Sequence, residues 1–244
     1  MELELLVSVC AWFFGSFVCG LCGLGAAIIA MPFMMLVMPV QKVILVSCFT
    51  AIGLTAAMAY VYHRHCPWKT VLQMIVGALP GNVVGLFILK YVPATVLEIV
   101  VGMMLIFCIV GMQLLQNRGR MESNLKNALI AGFLSGMIGT SITIDGAIVG
   151  LYALLIGLDP MSFLGFTSVF FFLRNLVTDI MQAMAGLYTE EIVTYALYCL
   201  PASILGFALS VPVVRKINVN AFRIVVKVVI LLAGIMCLLR GLWA

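Results

Sequence analysis

The chain has 244 residues, 65% of them hydrophobic and only 9% charged, whereas a soluble domain carries roughly 25% charged residues. That balance excludes a water-soluble globular domain and places function inside a membrane. The net charge of +4 comes from Lys and Arg gathered in a few loops, as membrane topology demands, and is not a nucleic-acid signal. The apolar runs are long and dense and do not alternate as barrel strands do, so the expected class is an all-α integral membrane protein.

An apolar tract covers residues 5–38. Its start, "MELELLVSVC", has two glutamates and no basic residue, a poor signal peptide that we expect to be retained as a first membrane segment. Single spans are predicted at 43–62, 71–89 and 94–116. A polar, cytoplasmic linker at 117–126 separates a first membrane repeat, 1–116, from a second, 127–244. The second begins with another long tract, 127–158, and continues with spans at 160–188, 191–213 and 221–243. Short matches keep their order between the halves: "FVCGLCGLG" with "FLSGMIGTS", "FTAIG" with "FTSVF", "LPGNVVG" with "LPASILG", "EIVV" with "RIVV".

The long tracts decide the topology. As one helix, about 34 residues would reach ~50 Å, against a hydrocarbon core of ~30 Å. Each tract also breaks at glycines near its middle, so it is either a kinked single crossing or a hairpin that returns to its starting side. If both return, Arg64, Lys69, Arg118, Arg120, Lys126, Arg215, Lys216 and Arg223 share one side, and Lys42, Lys90 and Arg240 the other. Single crossings give a nearly even split. The positive-inside rule favours hairpins, with both termini outside the cytoplasm. A hairpin plus three crossings inverts the second half. The expected fold is therefore two inverted repeats, each a re-entrant, broken helical hairpin plus three transmembrane helices, as in many secondary transporters.

Polar residues at membrane depth mark the candidate site, because each charge there costs ~3 kcal/mol or more. Arg174 stands mid-span. Asn175, Asp179 and Gln182 share one helical face, and Thr167 and Thr178 flank Arg174. A guanidinium suits oxyanions through paired hydrogen bonds. The tract breaks add Gly23, Gly25 and Gly139, with the hydroxyls Thr140, Ser141 and Thr143. A helix restarting after each break presents unpaired amides that attract anions. Asp145 has three roles open to it: N-cap of the restarting helix, partner of Arg174, or proton carrier. Asp145 and Asp179 are the candidates for charge balance or coupling. "HRHC" (63–66) reads as a solvated loop, and Cys19 and Cys22 form a CxxC within an apolar run. No metal site, cofactor motif or enzyme signature is found.

With these residues in view, the chain resembles the sulfite exporter TauE/SafE family of small-anion membrane permeases. The resemblance rests on "GLCGLGAAIIAMP", "GFLSGMIGTSITIDGAIV", "GFTSVFFFLRNL" with Asn175, and the pair "LPGNVVG" and "LPASILG". Thr140, Ser141 and Thr143 stand where the family's second segment carries glycines. The resemblance implies export or uptake of sulfite, an organosulfonate or a similar small anion; we expect a secondary transporter in the cytoplasmic membrane, with a proton or sodium as a candidate coupling ion. Rival readings are a thiol–disulfide relay through Cys19 and Cys22, and a non-transporting membrane scaffold.

Overall fold

The computed structural model describes residues 2–104, apart from 98 and 102, and residues 124–213. Within them the order is α1 (Glu2–Cys22), α2 (Ala26–Met35), α3 (Val40–Tyr62), a short 3-10 turn (His63–His65), α4 (Trp68–Tyr91), α5 (Leu125–Ile142), α6 (Gly146–Leu155), α7 (Pro160–Met184) and α8 (Glu190–Val213). No strand occurs among the described residues. Six of these helices, α1, α3, α4, α5, α7 and α8, are long and apolar enough to cross a membrane. The predicted span at 94–116 beyond residue 104, the span at 221–243 and most of the linker lie outside the described residues.

Both long tracts are broken helices. α1 ends at Gly23 (φ 78), whose amide donates to the Cys19 carbonyl at 2.7 Å, and α2 restarts after Gly25 (φ 97). α5 ends at Thr143 (φ 60), whose amide donates to the Gly139 carbonyl at 3.0 Å, and α6 restarts after Asp145. Glycine adopts the left-handed conformation freely, whereas Thr143 is β-branched and holds it under strain. α2 and α6 have 10 residues each, ~15 Å of helix, which reaches only half-way through the hydrocarbon core.

The tracts return to the end where they began. Lys42, at the start of α3, pairs with Glu4 of α1 at 3.0 Å and with Glu191 of α8 at 2.7 Å, so these three helices start together. The opposite end joins α3 to α4 through the 3-10 turn, and Gly165 near the start of α7 packs on Tyr62, His65 and Cys66. α3 and α7 therefore run antiparallel, with further contacts from Asn175 to Thr55 and from Gln182 to Cys48.

Glycines set the tightest packing. A Cβ on Gly77, Gly81 or Gly85 of α4 would overlap the carbonyls of Leu129, Phe133 and Met137 of α5, in that order, so α4 and α5 are parallel. Gly132 and Gly136 of α5 return the contact onto Met74 and Ala78. α8 lies on α1 in the same way, with Gly206 against Phe13 and Gly20 against Phe207 and Ser210. In a membrane, where lipid is as apolar as the protein interior, such close backbone approach is a main source of helix association. The outward face of α4 carries Leu72, Val76, Leu79, Val83 and Phe87, all exposed and suited to lipid contact.

The packing corrects the register of two of the sequence matches. Aligning "FVCGLCGLG" with "FLSGMIGTS" pairs Gly23 with Gly139 and Gly25 with Ser141. The backbone instead places Thr143 where Gly23 stands, and Asp145 where Gly25 stands. Likewise, "LPGNVVG" with "LPASILG" pairs Gly206 with Gly85. Yet Gly206 meets Phe13 and Phe17 just as Gly81 meets Phe133 and Met137. Both slips are one helical turn, because small residues recur about every fourth position on a packed face and a one-turn shift leaves the pattern looking the same.

Candidate functional site

The two breaks touch. A Cβ on Gly146 would lie 3.8 Å from the Leu24 Cβ and 3.9 Å from the Gly25 nitrogen. The starts of α2 and α6 thus meet inside the helix bundle, and a cavity opens beside them. Gly25, Ala26 and Ile28 line it from the first break, and Thr143, Asp145 and Gly146 from the second. Trp12 and Cys19 of α1, Thr55 of α3, and Arg174 and Asn175 of α7 complete much of its wall. Neither restarting helix has a side-chain cap, so its first amides keep their donor capacity and their partial positive charge for a bound anion.

Arg174 and Asp145 form an ion pair that is almost fully buried, at 3% and 2% exposure. Nε of Arg174 stands 3.3 Å from Oδ2 of Asp145, and Nη2 donates to Oδ1 at 3.3 Å. Ser135 Oγ also donates to Oδ2. Asp145 occupies the N-cap position, one of the three roles open to it, but its carboxylate turns away from the α6 amides toward the guanidinium. The pair leaves Arg174 Nη1 buried with no partner, and Asn175 Oδ1 and the Trp12 indole nitrogen are in the same condition. All three belong to residues that line the cavity. Buried polar atoms are nearly always satisfied, so three orphans around one space point to a ligand or water that completes them.

The remaining sequence candidates fall into two groups. Gly25, Thr143, Asp145, Arg174 and Asn175 gather at the cavity. Gly139 lies directly behind the Arg174–Asp145 pair, where a Cβ would collide with both side chains. The other hydroxyls are held by their own helix or by a neighbouring one. Ser141 Oγ donates to the Met137 carbonyl at 2.8 Å, and Thr167 Oγ1 to the Phe163 carbonyl at 2.9 Å. Thr140 Oγ1 bonds Asn82 and Thr178. Gly23 packs on Phe163 and Leu164. None of these residues, Gly139 included, belongs to the cavity wall.

Asp179 heads a separate polar cluster. Tyr188 Oη lies 2.9 Å from Asp179 Oδ1 and 2.7 Å from Gln182 Oε1. Burial raises the Tyr188 pKa, which keeps the phenol protonated as a hydrogen donor. The Gln182 amide nitrogen donates to the Thr140 carbonyl and to Cys48 Sγ, and Cys48 in turn meets Thr143 Oγ1 at 3.2 Å. This chain of contacts runs from Asp179 to the cavity edge. Ser135 and Tyr188 escaped sequence analysis. Ser135 is an ordinary small residue in a helix, and Tyr188 lies in a connection; only the fold brings them to carboxylates. Cys19 is buried with its Sγ 3.8 Å from Met58 Sδ, and the Cys22 side chain lies outside the described residues.

Comparison with known proteins agrees with a multi-pass membrane protein. The family described as sulfite exporter TauE/SafE matches residues 8–237. The chain is 21% identical, over 92% of its length and 93% of the relative's, to the Bacillus subtilis (strain 168) protein named "Probable membrane transporter protein YunE". No solved structure matches it.

Proposed function

Because the chain belongs to the sulfite exporter TauE/SafE family of membrane transporters, we propose that it is a secondary transporter of a small anion, a sulfur oxyanion or organosulfonate, working through the cavity at the two helix breaks. The observation that carries this reading is the buried, unpartnered Nη1 of Arg174 beside two uncapped helix starts. These groups give a small oxyanion charge-assisted donors from the guanidinium and dipolar donors from the backbone. The indole of Trp12 supplies one more donor. Asp145 holds Arg174 neutral in the empty site and yields part of the guanidinium when the anion arrives. Asn175 and Thr143 shape the wall, and Gly139 leaves room for the ion pair.

In this reading the halves are inverted repeats and both tracts are re-entrant hairpins. Support comes from helix directions: the matching helices α3 and α7 run antiparallel, and Lys42 ties the starts of α1 and α3 at one end. The end with Arg64, Lys69 and Lys126 faces the cytoplasm, and the end with Glu2, Glu4, Glu190 and Glu191 faces outward, as the positive-inside rule requires.

The test is flux of radiolabelled sulfite in proteoliposomes. Arg174→Ala is expected to lose at least about tenfold in rate, the equivalent of one charge-assisted hydrogen bond, with Arg174→Lys only partly restoring it because a lysine lacks the fork geometry. Undiminished flux in Arg174→Ala refutes the site.

A further inference from the structure

Tyr188 has one hydroxyl hydrogen and faces two oxygens, Asp179 Oδ1 and Gln182 Oε1. The Gln182 amide cannot turn over to help, because its nitrogen is held by the Thr140 carbonyl, which only accepts. With Asp179 ionised, these two acceptor oxygens share one hydrogen, and either Gln182 Oε1 or Asp179 Oδ1 is left bare. A proton on Asp179 resolves the count: the carboxyl donates to Tyr188 Oη, and Tyr188 donates to Gln182. Two further observations point the same way. Asp179 Oδ2 is buried without a partner, and among the described residues no cation lies within ion-pair distance of Asp179. Arg174, five residues before it on α7, is already neutralised by Asp145.

We propose that Asp179 carries a proton in this state and that its protonation is the coupling step of transport, so that the anion moves together with a proton. This rests on the transport reading above and assigns its coupling ion. The charge count gives the direction. Arg174 and Asp145 cancel, so an ionised Asp179 leaves the region with a net negative charge that opposes anion entry. A proton taken from one side of the membrane converts the carboxylate to the acid, the anion then binds at Arg174, and both leave on the other side, which restores the carboxylate. By linkage, proton binding strengthens anion binding and the anion strengthens proton binding equally. The groups facing Asp179 are Tyr188 from the α7–α8 connection, Cys48 from α3, and Arg174 with its partner Asp145. Tyr188 and Gln182 also give the proton a mechanical route. Loss of the proton turns the Tyr188 hydroxyl toward Asp179 and frees Gln182, whose other contacts hold the Thr140 carbonyl and the Cys48 thiol beside Thr143 at the second break.

Infrared spectroscopy of the purified protein tests the proton directly. At neutral pH the wild type is expected to show the C=O stretch of a protonated carboxyl. Asp179→Asn should remove it and Asp145→Asn should not. A wild type without that band, or a band that persists in Asp179→Asn, overturns the proposal, and neither result depends on knowing the substrate. In proteoliposomes, Asp179→Asn should keep counterflow exchange of radiolabelled sulfite but lose accumulation driven by a pH gradient. Accumulation that survives the substitution, or that follows a sodium gradient instead, also overturns it. A wild type that moves no sulfite counts against the proposed substrate, while the infrared comparison still decides the state of Asp179.

Discussion

Arg174 and Asp145 take two opposite charges out of water, and each is affordable only because of the other. Removing one partner from such a pair typically costs about 3–5 kcal/mol, whereas removing both is far milder. Asp145→Asn is therefore expected to lower the melting temperature in detergent, and Asp145→Asn with Arg174→Gln to recover much of the loss. Additive losses in that cycle would mean that the two side chains do not depend on each other. The same single variant should bind anions more tightly, since Asp145 competes with them for the guanidinium. Arg174 was legible in the sequence because a lone cation in an apolar run has to be explained. Its partner was not, because Asp145 is distant in sequence and stood as an N-cap candidate on equal terms. The hydroxyls of Thr140 and Ser141 were equally visible, yet the helix geometry gives them local carbonyl or cross-helix partners and keeps them off the cavity wall.

Among the helices, the breaks and the glycine faces organise the molecule. Excess tract length and glycine punctuation were enough to expect a break in each tract, and both occur. The turn itself could not be placed to better than one helical turn, since a face built of small residues reads alike when shifted by four. Thr143 shows the cost of that ambiguity: nothing in its local sequence marks it for a left-handed conformation that glycine takes in the first tract. The α4–α5 and α1–α8 contacts should respond alike to bulk. Gly81→Leu and Gly206→Leu are each expected to destabilise by about 1–3 kcal/mol or more, the usual range for overpacking, measured as loss of thermal stability. Gly146→Ala meets only ordinary contacts and should melt close to the wild type. Equal stability across all three variants would contradict the packing described.

For the molecule as a whole, charge distribution and helix direction together support the proposed orientation. Cysteines introduced at Arg64 and Glu190 should report opposite sides in intact cells: a membrane-impermeant thiol reagent labels Glu190→Cys and leaves Arg64→Cys untouched until the cells are opened. The reverse pattern would turn the protein over in the membrane, and labelling of both from outside would break the assignment of the two ends. The alternation of long tracts and spans made the six membrane-length helices among the described residues legible from sequence. Which helix lies on which was not, because lipid-facing and protein-facing surfaces are both apolar and hydropathy alone does not separate them.

Two of the glycine faces cross between the halves: α4 closes on α5, and α8 closes on α1. During synthesis α1 precedes α8 into the bilayer, and the face built around Gly20 has no α8 to meet until the second half has been made. Until then it is open to any other small-residue helix in the same membrane. The faces built around Gly20 of α1 and around Gly77, Gly81 and Gly85 of α4 are covered by helices of the second half, which serves the first as an internal chaperone.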